Sequence, residues 1–150
     1  MSKIVLEEQT TPATPAANMV NVYPKAGGGL FLINDLGEEV NLASGTTRTV
    51  TVASSATPTP NADITDIYTV TALAEAATFG APTGTPVNGQ KLIIRIKDNA
   101  TIRALSWNAI YVARGVALPT TTVASKYLYL GFIYNSQSST WDLIATSQET

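Results

Sequence analysis

The sequence predicts an all-β fold: an antiparallel, jelly-roll-like β-sandwich preceded by an extended N-terminal arm and a short β-hairpin module. Three observations carry this. Apolar and polar residues alternate two by two over several runs, as on a half-buried strand. These runs are separated by clusters rich in Gly, Pro, Asn and Asp, which turn the chain. The chain is also 45% hydrophobic and only 13% charged, too apolar for a disordered chain.

Residues 1–18 read as the arm. Gln9 to Ala17 holds Pro12 and Pro15 among small residues, a composition that stays extended and poorly packed. Residues 19–46 read as a strand-turn module. Met19 to Tyr23 alternates and stops at Pro24; Gly27-Gly28-Gly29 turns; Leu30 to Ile33 is a second strand. Asn34-Asp35-Leu36-Gly37 is a turn with Gly where positive φ is needed, and Glu38 to Leu42 is a third strand. Three strands this short cannot bury a core alone.

Residues 47–150 form the main domain. Arg48 to Val52 alternates strictly, and Ile67 to Leu73 fits a strand. Leu73-Ala74-Glu75-Ala76-Ala77 has the propensity for one helical turn. Two hairpins are expected next. In the first, Leu92, Ile94 and Ile96 share a face opposite Lys91, Arg95 and Lys97, and a turn at Asp98-Asn99-Ala100 leads to a strand ending at Trp107. In the second, Leu128, Leu130, Phe132 and Tyr134 share a face, and a loop from Asn135 leads to Trp141, Leu143 and Ala145.

The formal charge of −2 is unevenly distributed. Residues 1–90 carry eight acids (Glu7, Glu8, Asp35, Glu38, Glu39, Asp63, Asp66, Glu75) against Lys3, Lys25 and Arg48. Residues 91–150 reverse the balance, with Lys91, Arg95, Lys97, Arg103, Arg114 and Lys126 against Asp98, Asp142 and Glu149. No dense basic run marks a nucleic-acid footprint. No apolar stretch is long enough for a membrane span, and the N-terminus does not read as a signal peptide.

Chemistry is sparse. The chain has no Cys and no His. Thiol chemistry, imidazole general-base catalysis and the commonest metal ligands are therefore excluded. Glu38 and Glu39 are adjacent and point to opposite strand faces. Asp63 and Asp66 read as surface acids or turn caps rather than a hydrolytic pair or a calcium loop. Gly84 to Lys91 approaches a phosphate-loop spacing, but Gln90 intervenes and Pro86 removes a donor. Asn99-Ala100-Thr101 matches a glycosylation acceptor but sits in an expected hairpin turn. No catalytic, cofactor or metal residues are expected. The aromatics concentrate late in the chain, and Tyr and Trp faces are what interfaces and sugar sites use. Trp107, Tyr111, Tyr127 and Tyr129 are the candidates for glycan contact, with Asn108 and Gln137 as polar partners. Tyr134 and Trp141 read as core.

Residues 47–147 resemble a domain that recurs in phage tail, fibre and head-decoration proteins. The resemblance rests on Arg48-Thr49-Val50-Thr51-Val52, Pro60-Asn61-Ala62-Asp63 with Tyr68 and Ala72-Leu73, Pro82-Thr83-Gly84-Thr85-Pro86, and Gly89 through Asp98. Leu105-Ser106-Trp107, Gly115 through Thr121, Gly131-Phe132-Ile133-Tyr134-Asn135 and Thr140-Trp141-Asp142-Leu143 complete it. The family often has Gly at the position of Ala100. Residues 18–42 are similar to a short fibre module, through Tyr23, Gly29-Leu30-Phe31, Asp35, Gly37 and Leu42.

The resemblance implies a non-enzymatic viral structural protein of a bacteriophage virion, a fibre or a capsid or tail decoration subunit. It implies a homotrimer made in the host cytoplasm. The N-terminal arm would attach to other virion proteins, and the C-terminal domain would be displayed. The alternative is a receptor-binding module for host surface polysaccharide. Neither reading calls for a cofactor, a nucleic acid or membrane insertion.

Overall fold

The computed structural model describes residues 10–25, 30–42 and 47–150. The chain separates into two compact units, Met1–Thr46 and Thr47–Thr150. Among the described residues there is no helix, and so none long and apolar enough to cross a membrane.

The first unit is an antiparallel meander of β1 (Val20–Pro24), β2 (Leu30–Asn34) and β3 (Glu39–Asn41). The expected Gly turn at residues 27–29 lies outside the described residues. The second turn forms as its sequence demands. Asn34 Oδ1 accepts the N–H groups of Leu36 and Glu38, and Gly37 takes φ +81°.

Alternation divides this sheet into two unlike faces. Tyr23 and Ile33 are buried on one. There the Tyr23 hydroxyl and the Lys25 ammonium both bond the Glu39 carboxylate. Residues 10–18 run against this unit: the Thr11 side chain reaches Tyr23 and Glu39, and the Asn18 N–H donates to Asp35 at 2.7 Å. The opposite face carries Val20, Val22 and Val40, all about half exposed or more.

The second unit holds a six-stranded sheet in the order β4 (Thr49–Val52), β5 (Ile67–Leu73), β7 (Lys91–Asp98), β10 (Tyr127–Asn135), β11 (Thr140–Gln148), β9 (Tyr111–Ala113). A two-stranded sheet pairs β6 (Ala77–Phe79) with β8 (Leu105–Trp107). One face of the large sheet supplies Val70, Leu92, Ile94, Ile96, Leu130, Phe132, Trp141 and Leu143 to the core, and the small sheet adds Phe79 and Leu105 to the same cluster. Each large side chain fully withdrawn from water contributes about 1.5–3 kcal/mol.

Four expectations are corrected. The large sheet is mixed, not antiparallel: β4–β5, β5–β7 and β11–β9 run parallel. Parallel neighbours need crossovers, and the chain supplies one by passing through β6 between β5 and β7. The expected hairpin of residues 91–98 with residues 101–107 does not form, because β8 leaves to pair with β6. The helical turn at residues 73–77 is instead a bend that starts the crossover; five residues are too few to nucleate a helix. Ala145 does not share the face of Trp141 and Leu143. The register shifts at Gly131/Phe132, so Ile144 is an extra residue and Ala145 turns outward. The second hairpin otherwise forms as β10–β11.

Candidate functional site

The four aromatic candidates fall into two separate groups. Trp107 and Tyr111 belong to the core. Trp107 stacks on Phe79 at 4.5 Å between ring centroids and meets Tyr111 edge-on at 5.5 Å. Its indole N–H donates to the Pro119 carbonyl at 2.7 Å. Tyr111 is buried against Phe132, and burial pushes its phenol well above the ordinary range. Neither ring is presented as a flat platform. Asn108 caps the intervening turn, its Oδ1 accepting the Ile110 N–H, and Gln137 is held by Asn135 in the β10–β11 loop.

Tyr127 and Tyr129 lie on the outer face of the large sheet, 6.0 Å apart. Strand alternation puts them there, since Leu128 and Leu130 point inward. The facing strand β7 presents its cations to them. Lys97 stands opposite Tyr127 and Arg95 opposite Tyr129. The Lys97 ammonium sits 4.8 Å from the Tyr127 ring centre, and the Arg95 guanidinium 5.2 Å from that of Tyr129. Beside them Gly131 has no side chain, leaving a shallow groove of about 220 Å³ lined by Ile93, Tyr129, Gly131, Ala145, Thr146 and Ser147.

The acids singled out from the sequence are engaged locally. Asp66 receives the Arg48 backbone N–H at 2.9 Å and its guanidinium through two nitrogens, which lowers its pKa. Asp63 accepts the Thr85 N–H and hydroxyl at 2.8 and 3.1 Å. Asp63 and Arg48 line an open groove of about 430 Å³ that residues of the loop from Thr85 to Gln90 also line. That loop is tied down as structure: Gln90 bridges the Ala62 carbonyl and the Val87 N–H. Glu38 and Glu39 diverge, the former to Asn34 and the latter to Tyr23 and Lys25.

One important carboxylate escaped the sequence reading. Asp98 is buried at the end of β7 and organises two loops. It bonds the Thr122 hydroxyl and the N–H groups of Ala100 and Ser125. The buried phase of Leu92, Ile94 and Ile96 continues to it, and that periodicity was the available signal.

Among the described residues, no group of three or more carboxylates gathers to hold a metal. The outer face around Tyr129 combines an exposed ring, two cations and a groove, and is the candidate surface for recognition. No protein-family model and no curated protein matches this chain.

Proposed function

We propose that this chain is a non-enzymatic structural subunit of a bacteriophage particle, a fibre or decoration protein that works as a homotrimer. The observation that carries the reading is the one-sided first unit. Val20, Val22 and Val40 line a sheet face that the chain's own described residues leave open. An apolar face of this kind is stabilised by burial against another copy. The resemblance to fibre modules supplies the number three.

In this reading the large and small sheets of the second unit are the two layers of a reduced sandwich of jelly-roll kind. Their shared core of Phe79, Leu105, Trp141 and Phe132 supports it. The N-terminal residues join the particle and the second unit is displayed. Deletion of residues 2–18 is the test. The truncated chain should remain soluble and folded in its second unit yet be lost from purified particles, and normal incorporation would refute the attachment role.

A second reading, recognition of host surface glycan, is favoured by the exposed Tyr129 beside its groove.

A further inference from the structure

We infer that the outer face of the six-stranded sheet binds an acidic glycan, one whose sugar rings carry carboxylates. The inference deepens the glycan reading and rests on it. Lys91, Arg95 and Lys97 alternate along β7 on this face, and none forms an ion pair with an acid among the described residues. Alternate strand residues repeat at roughly 7 Å, so Arg95 and Lys97 are adjacent on the face, and Lys91 stands beyond Ile93 at about twice that spacing. The Nε of Arg95 is buried without a hydrogen-bond partner. The neighbouring acids are committed elsewhere. Asp142 pairs with Arg114, and Glu149 accepts the Tyr127 backbone N–H.

The groove supplies the other half of a sugar site. Tyr129 forms one wall, Gly131 opens the floor, and Ser147 lies across from Tyr129 on β11. This volume suits a single ring, below the size of a drug-sized pocket. A pyranose laid against the Tyr129 ring brings a ring carboxylate toward the Arg95 fork, the geometry in which guanidinium groups bind carboxylates well. Ser147, paired with Tyr129 on the same face, offers its hydroxyl to the sugar edge.

Charge decides between occupants. A second copy docked symmetrically here would set this cation row against itself. A nucleic acid carries dense phosphate charge, and the chain as a whole is net negative at −2. A glycan with one carboxylate per ring fits a short row of cations within an acidic protein.

The test is calorimetric titration of the full chain with oligogalacturonate, with its carboxyl-reduced form, and with oligothymidylate of equal charge. The uronate should bind, with affinity falling as salt rises. Arg95→Gln and Lys97→Gln should each weaken it by about tenfold, the scale of one charge-assisted contact. Gly131→Ala should weaken binding by narrowing the groove. A Cβ at that position meets nothing closer than 3.9 Å, so the sheet should keep its melting temperature. Absence of uronate binding, equal binding of the reduced form, tighter binding of oligothymidylate, or unchanged affinity in all three variants would each overturn the site. Light scattering on the same samples separates the two claims. A trimer that ignores uronate overturns the site alone, whereas a monomer that binds it upholds the site and overturns the assembly.

Discussion

The Asp98 carboxylate accepts a hydrogen bond of 2.6 Å from the Thr122 hydroxyl in the buried interior. Asp98 also takes the Ser125 N–H at 2.8 Å, so it ties the end of β7 to the chain entering β10. Removing it strands three donors. Asp98→Ala should lower the unfolding free energy by about 2–4 kcal/mol, and Thr122→Val by about 1–3 kcal/mol, because an orphaned buried polar group costs its full desolvation. Urea unfolding of each variant checks both.

Two backbone positions should respond in opposite directions. Ala100 sits at φ +70°, where a Cβ is crowded. Ala100→Gly should stabilise by about 0.5–1 kcal/mol, the left-handed strain relieved less the added freedom of the unfolded chain. Gly84 sits at φ +86°, and a Cβ there would approach the Asp63 carboxylate and Asn61 Oδ1 at 2.7 Å. Gly84→Ala should destabilise by about 1–3 kcal/mol. Thermal melts of both variants read the signs.

The Tyr111 hydroxyl is buried with no partner. Tyr111→Phe keeps the ring packed against Phe132 and Trp107 and removes the unsatisfied group. Melting should stay level or rise, with a gain of up to about 1 kcal/mol. A large loss would show that the hydroxyl is bonded in solution.

Acid should loosen the second unit through Asp66. Hydrogen bonds from the Arg48 side chain hold the Asp66 carboxyl below its ordinary value. A depressed folded pKa means that this stability is fully present above the unfolded value, near 4. It drains away as pH falls through the folded value. Asp66→Asn should therefore be less stable than the native chain at pH 7, and the difference should shrink between pH 4 and strongly acidic solution. Chemical unfolding across that range provides the measurement.

Much of this fold was legible because strand alternation reports facing directly. Leu92, Ile94 and Ile96 on one side of β7, and the inward phase of Leu128, Leu130 and Phe132, followed from spacing alone. Strand direction did not follow, because a parallel and an antiparallel neighbour bury the same alternate residues. The connections distinguish them, as the crossover through Ala77–Phe79 does for β5 and β7. The bulge at Ile144 was hidden for a similar reason: one extra residue resets the phase, and Ala145 alone is too small to betray it. At the candidate site, Tyr127 and Tyr129 lie on a nine-residue strand whose phase is unambiguous. Trp107 and Tyr111 lie on three-residue strands, too short to establish one.

The central claim is that the first unit is completed by other copies of itself through Val20, Val22 and Val40. Light scattering of the full chain against Val22→Asp measures it directly. The native chain should have three times the 15.8 kDa chain mass, and Val22→Asp should fall to a single chain with its second unit still folded, because a charge cannot be buried unpaired in that contact. A native chain that stays at one chain mass at high concentration, or a Val22→Asp chain that keeps the full assembly, would contradict the account.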